Sequence, residues 1–186
     1  SETEAMHLVT RNNRVTEIVA MVRGKKKLVI KEPKTVVVSA GTVASSWLLM
    51  RSGIGPSLPV GRGLSFNMGS PLYGWFGETV NAYQGLQIAH YLNIKDRDGF
   101  VYETWYNPPL AQALTMPGWL DTHFSNMQRY DQMAAVGVLV GTESNAHIER
   151  ALLVNGPDVV YRPTAKDMST LLDAFKILGG ILFEAG

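Results

Sequence analysis

The chain contains no cysteine among its 186 residues. That absence excludes disulfide bonds, thiolate metal sites and cysteine nucleophiles. The chain also has no uninterrupted apolar run close to the roughly 20 residues that a membrane-spanning helix needs, and its first residues lack the charged and apolar regions of a signal peptide. We therefore expect a soluble protein and leave its compartment open.

An excess of charge of one sign is also missing. The 17 Lys and Arg residues nearly balance the 16 Asp and Glu residues, which gives a formal net charge of +1. Phosphate binding needs clustered cations, and the one basic cluster, Lys25 to Lys27, follows Gly24 between two strand-like runs. We interpret this cluster as a solvated hairpin tip and predict no nucleic-acid partner.

Several catalytic motifs are absent too. A dinucleotide-binding GxGxxG fails at both candidates, since Leu58 and Phe66 stand where the third glycine is needed. No serine stands in a GxSxG motif, so the sequence offers no candidate nucleophile for a serine hydrolase. The histidines stand at the widely spaced positions 7, 90, 123 and 147, and none has the spacing of a ligand pair. We therefore predict no metal site.

The composition that is present suits a folded chain. With 46% hydrophobic and 18% charged residues, the chain can bury a core and form one domain, or one domain with part of a second. Residues 56–71 are rich in Gly, Pro, Ser and Asn and predict a crossing between domains. The sequence begins at Ser1 rather than Met and stops at Gly186 directly after a helical pattern. We expect both ends to be cut.

Local patterns predict a mixture of helices and strands. Strands are predicted at 15–22, 27–30, 36–39, 100–106, 134–140 and 159–161, and turns at 23–25, 96–99 and 155–156. One helix is predicted at 43–50 and a long one after Thr164, which with Asp167 forms a capping-box pattern. The segment 78–92 fits neither template, so helix and strand both remain open there.

The run from Gly41 to Gly55 is the most informative part of the sequence. It follows the apolar run 35–40, so the pattern predicts a buried strand, a glycine turn, a short apolar helix and a Ser-Gly stop. Ala40 and Gly41 add no bulk, and Gly41 can adopt a positive φ, so backbone can approach a ligand. Free N–H groups at the start of the helix would face a phosphate or a polar ring.

The same run resembles the second signature of the glucose-methanol-choline (GMC) oxidoreductases, with every constrained position filled. The passage Leu58-Pro59-Val60-Gly61-Arg62-Gly63-Leu64 is similar to the family's P-V-G-x-x-L passage, although Ser65-Phe66-Asn67 replaces the usual Asp-His. The resemblance implies FAD as cofactor. The residues it implies as FAD contacts are Val15, Ser39, Ala40, Gly41 and Thr42.

The resemblance also implies a fold and a reaction. The fold is α+β, with an α/β portion of an FAD-binding domain at 1–65 and a substrate-binding domain at 66–186, built from an antiparallel sheet with flanking helices. Family members oxidise alcohols by passing hydride to the flavin while a histidine near the C-terminus takes the hydroxyl proton. No histidine here stands in that context, so no catalytic residue is assigned.

Because the phosphate-binding turn and the catalytic base are both absent, the chain resembles the middle of a GMC enzyme. We expect it to contribute FAD contacts and substrate-cavity walls, with the remaining N- and C-terminal segments of the enzyme as its partners. Candidate cavity aromatics, which are also consistent with core packing, are Tyr73, Trp75, Phe76, Trp105, Tyr106, Trp119 and Phe124. Glu103 and Asn107 are the candidate polar groups. Two alternatives are a flavin-containing lyase of the same fold and a non-catalytic binding module.

Overall fold

The computed structural model describes residues 2–94 and 99–186. Asp96, Arg97 and Asp98 of the turn predicted at 96–99 therefore lie outside the described residues. The chain forms two compact units, Ser1–Ser65 with Ser144–Arg162, and Phe66–Glu143 with Pro163–Gly186. The domain bounds expected from the sequence, 1–65 and 66–186, stay a prediction, and residues 144–162 belong to the first of the two units. The role of each domain stays a prediction.

The first unit contains an antiparallel sheet of three sequential strands. These are β1 (Thr3–Arg11), β2 (Arg14–Val22) and β3 (Lys26–Lys31). Asn12 and Asn13 both have positive φ, 49° and 57°, which is the backbone of a primed two-residue hairpin turn. The hairpin β2–β3 was predicted. The strand β1 was not, because the polar Asn-Asn turn that creates it was not recognised.

A helix and a second antiparallel sheet complete the first unit. The helix α1 spans Thr42–Arg51, as predicted, and ends at Ser52 before Gly53, whose φ of 66° is typical of a helix C-terminus. The sheet contains β4 (Arg62–Leu64), and its strand order is β10-β9-β4, where β9 is Ala146–Arg150 and β10 is Pro157–Val160. The turn predicted at 155–156 lies between β9 and β10.

The prediction of a buried strand at Val36–Ser39 is wrong for the chain by itself. These residues form no strand, and Val37 is 81% exposed. A β-branched run adopts a stable strand only when a neighbouring strand pairs with its backbone. No strand in the described part of the chain pairs with this run. The turn and helix that follow form without it.

The second unit is built on a four-stranded antiparallel sheet. Its strand order is β5-β8-β7-β6, with β5 at Asn67–Trp75, β8 at Met133–Gly141, β7 at Phe100–Trp105 and β6 at Tyr91–Leu92. The strands β7 and β8 were predicted. The strand β5 begins inside the predicted domain crossing and contains Pro71, which a sheet tolerates because β5 is an edge strand. Apart from β6, the ambiguous segment 78–92 contains neither helix nor strand.

The long helix α4 (Ala165–Glu184) covers one face of this sheet. It begins with the predicted capping box, in which Thr164 and Asp167 bond to each other's backbone N–H. Its apolar stripe packs on the sheet. The core residues are Phe100, Tyr102, Val138, Val140, Ala174 and Leu178. Tyr102 is buried with its hydroxyl, which donates to the Ala174 carbonyl at 2.8 Å. Each large apolar side chain buried here contributes about 1.5–3 kcal/mol.

Two short helices precede β8, and neither was predicted. They are α2 (Pro109–Thr115) and α3 (Asp121–Gln128), followed by a 3₁₀ turn at Tyr130–Gln132. Pro109 stands in the first turn of α2, where proline is favoured, so the proline pair ends β7 and starts a helix. The α+β class is confirmed. Within the described residues, no helix is long and apolar enough to cross a lipid bilayer.

Candidate cofactor and substrate sites

The N-terminus of α1 opens into a cavity of about 750 Å³ in the first unit. Gly41 precedes the helix with a φ of 82°, a conformation that favours glycine. No side chain caps this end, and the first turn contains no acidic residue. The first N–H groups of the helix have no partner within the helix, and the helix dipole adds partial positive charge there. Ser45 Oγ accepts a hydrogen bond from the Ala40 N–H at 3.0 Å and fixes the turn.

The rest of the cavity lining includes Glu4 and Met6 of β1, Arg51 at the C-terminal end of α1 and the turn at 155–157. Arg51 donates through Nη2 to the Ala5 carbonyl and lies 4.0 Å from the Glu4 carboxylate. Its Nε atom is buried and has no hydrogen-bond partner among the described residues. Helix N–H groups and an arginine form a donor set that fits an acceptor-rich ligand such as a phosphate or the polar edge of a flavin.

Three of the five predicted FAD contacts lie together at this cavity. Ala40, Gly41 and Thr42 line it. Ser39 precedes them in the chain and is exposed. Val15 lies in β2 opposite Thr10, four residues along β1 from Met6 and hence about 13 Å away, and it does not line the cavity. All five contacts stay predictions.

A second cavity of about 750 Å³ in the first unit follows the end of α1. The loop 53–60 lines one side and the β4–β9 pair the other, with Arg62, His147, Glu149 and Arg150 at the wall. His147 Nε2 lies 3.6 Å from the Glu149 carboxylate. The sequence assigned no role to these residues. Within residues 2–94 and 99–186, no group of three or more His, Asp or Glu residues could hold a metal ion.

The aromatic residues predicted to line a substrate cavity have different surroundings in the second unit. Trp105 and Tyr106 border a cavity of about 320 Å³ together with His90. Trp75 lies under the Arg129 guanidinium, 5.8 Å from the ring centre. Trp119 and Phe124 are 82% and 64% exposed. Of these aromatic residues, Trp105 and Tyr106 at the end of β7 line this cavity, whereas the exposed Trp119 and Phe124 do not.

The two candidate polar groups occupy different surroundings. Glu103 borders an apolar cavity of about 210 Å³ that also includes Tyr102 and Leu178. Asn107 has a structural partner, because its Nδ2 donates to Gln112 Oε1 at 3.2 Å. Its carbonyl accepts a hydrogen bond from the Tyr130 hydroxyl.

Sequence reasoning missed the polar network around Tyr130. Its ring stacks on Tyr83 with centres 5.2 Å apart. Burial is the largest cause of a raised pKa of Tyr130, and the neighbouring Tyr106 and Tyr83 add to the shift. The phenol therefore stays neutral and available as a hydrogen-bond donor. Gln112, a polar residue within the apolar helix sequence Pro-Leu-Ala-Gln-Ala-Leu, was the one signal in the sequence.

Comparison with known proteins supports the resemblance. Residues 1–68 match the family model described as GMC oxidoreductase. The chain is also similar to uncharacterized GMC-type oxidoreductases from two Mycobacterium tuberculosis strains, CDC 1551 / Oshkosh and ATCC 25618 / H37Rv. Each is 30% identical over 153 residues, which cover 81% of this chain and 24% of the relative. The chain thus spans about a quarter of their length. Together with the second signature and the α+β fold, these matches support membership of the GMC oxidoreductase family.

Proposed function

We propose that this chain forms part of an FAD-dependent alcohol oxidoreductase. The observation that carries the proposal is the uncapped N-terminus of α1, with Ala40, Gly41 and Thr42 at a cavity of about 750 Å³. Its free N–H groups and Arg51 supply hydrogen-bond donors for an acceptor-rich cofactor. When bound, FAD would supply the hydride acceptor for oxidation of an alcohol carbon.

The second unit supplies substrate-cavity walls in this proposal. Apolar walls with a few polar groups are typical of small-molecule sites, and the end of β7 presents Trp105 and Tyr106 beside His90. An apolar or bulky alcohol suits such walls. None of these side chains is assigned as the base that removes the hydroxyl proton.

The proposal includes partner segments. The relatives are about four times longer than the matched region, since that region covers 24% of each. We propose that N- and C-terminal segments of the same enzyme supply the phosphate-binding turn and the base. These segments would bind the cofactor together with the first unit.

The test measures FAD binding to the chain with and without such flanking segments. Ala44 lines the cavity on the exposed side of α1, so Ala44→Phe would fill the site without disturbing a core. We expect this variant to weaken FAD binding about tenfold or more, which corresponds to a loss of about 1.4 kcal/mol. Flavin fluorescence quenching reads out the affinity.

Ala165→Phe is the matched control, because Ala165 is an exposed residue in the first turn of α4 in the other unit. This control should bind FAD as the unchanged chain does.

Bleaching of the bound flavin by an alcohol would distinguish an oxidoreductase from a flavin-containing lyase. Failure of every combination of segments to bind FAD would refute the proposal.

A further inference from the structure

The side chain of Gln112 is buried in the second unit with half of its amide unpaired. Gln112 is 1% exposed. Its Oε1 accepts from Asn107 Nδ2, but its Nε2 has no hydrogen-bond partner within the described part of the chain. The backbone of Gln112 is satisfied, because its N–H donates to Pro108 and its carbonyl accepts from Met116. A buried amide donor without an acceptor is unfavourable and rare in folded proteins.

Gln112 lines a cavity of about 10 Å³. Gln112, Asn107 and Tyr130 contribute its polar groups, and aromatic side chains such as Tyr83 and Trp105 form much of the remaining wall. A volume of roughly 10–15 Å³ is what one water molecule needs, provided that polar partners are within reach. The cavity is too small for a ligand with a carbon skeleton.

Tyr130 supplies a second polar partner at this cavity. Its hydroxyl donates its proton to the Asn107 carbonyl. The lone pairs of Tyr130 Oη therefore remain available to accept a hydrogen bond. The stacked ring of Tyr83 covers Tyr130 on one side. Gln112, which carries this donor, and Tyr130, which carries this acceptor, thus line the same small cavity.

We propose that this cavity binds a single water molecule, which accepts a hydrogen bond from Gln112 Nε2 and donates one to Tyr130 Oη. The water completes a network that joins three segments: Asn107 after β7, Gln112 in α2 and Tyr130 in the 3₁₀ turn. The network positions the end of β7, where Trp105 and Tyr106 lie. The inference depends on this unit alone and holds whether or not the chain binds a flavin.

A crystal structure of the chain tests the site directly. We expect an ordered oxygen about 2.7–3.2 Å from Gln112 Nε2. In Gln112→Met, whose side chain is similar in length but apolar, this oxygen should disappear and Tm should fall by about 4 °C, because the Asn107 amide also loses its acceptor. In Gln112→Glu the oxygen should remain, since a water can reverse its role and donate to a carboxylate. A wild-type structure in which Nε2 bonds to a protein atom, or in which the cavity holds no oxygen, would overturn the proposal.

A solution measurement keeps the test decisive if Gln112→Met does not fold. In the 15N-labelled chain, the side-chain amide protons of Gln112 should show a cross-relaxation signal to a long-lived water proton. Tyr130→Phe removes the acceptor and should abolish that signal. Tyr91→Phe, at a tyrosine that is 77% exposed, should leave it unchanged. Persistence of the signal in Tyr130→Phe would contradict the assigned role of Tyr130.

Discussion

At the scale of single residues, Ser52 connects the end of α1 to β1. Its Oγ accepts from the Leu8 N–H at 2.9 Å and donates to the Leu48 carbonyl at 2.6 Å. All three residues are buried. The serine of the Ser-Gly stop therefore does more than end the helix, because it also satisfies a backbone donor of a neighbouring strand.

Substituting Ser52 with Ala should destabilise the first unit by about 1–3 kcal/mol, because it leaves the buried Leu8 N–H without its acceptor. Chemical denaturation monitored by circular dichroism measures the change. Ser57→Ala, at an exposed loop residue, is the matched control and should change the free energy of unfolding by less than about 0.5 kcal/mol. Equal effects of the two substitutions would show that Ser52 contributes no buried hydrogen bond.

Some residues at the candidate site could be predicted from the sequence and others could not. Ala40, Gly41 and Thr42 are consecutive, so one local motif was enough to place them together. Glu4 and Arg51 line the same cavity but come from distant parts of the chain. No local pattern specifies such pairs, because only the tertiary fold brings β1 beside α1.

At the scale of elements, the helices and strands that could be predicted are those with a recognisable pattern in their own local sequence. The helix α4 has a capping box and an apolar stripe, and β7 alternates between a buried face with Phe100 and Tyr102 and a more exposed one. Elements that depend on partners were missed or misassigned. The run 36–39 has strand propensity without a pairing strand, and β5 becomes a strand despite Pro71 because β8 pairs with it.

The capping residue Asp167 should be critical for α4. Its carboxylate accepts from the Thr164 and Glu143 N–H groups, both at 2.9 Å, and the residue is 2% exposed. Asp167→Ala should reduce the free energy of unfolding by about 3 kcal/mol, because two N–H groups lose a charged acceptor. Thermal unfolding measures this loss. Asp173→Ala, which removes an exposed carboxylate from the same helix, should cost less than about 0.5 kcal/mol. A similar cost at both positions would contradict the capping role.

At the scale of the whole molecule, similarity to the family extends further than the matched family model. The model matches residues 1–68, whereas the 30% identity to the relatives extends over 153 residues. Part of the second unit is therefore also similar to these relatives, although its sequence contains no comparably specific motif. The relatives' greater length is the basis for proposing partner segments. The effect of such segments should be measurable at the run 36–39, because its backbone groups lack a pairing strand in the described chain.

Hydrogen exchange at Val36, Val37 and Val38 tests this expectation. In the chain alone these amides should exchange rapidly, since they belong to no strand. When the chain is extended to the length of its relatives, a neighbouring strand should pair with them and slow exchange about a hundredfold or more, equivalent to about 2.8 kcal/mol of local stability. The Leu8 amide, already bonded to Ser52, is the internal control and should be protected in both forms. Equally rapid exchange at Val36 to Val38 in the extended protein would exclude this run as a central strand of the FAD-binding domain.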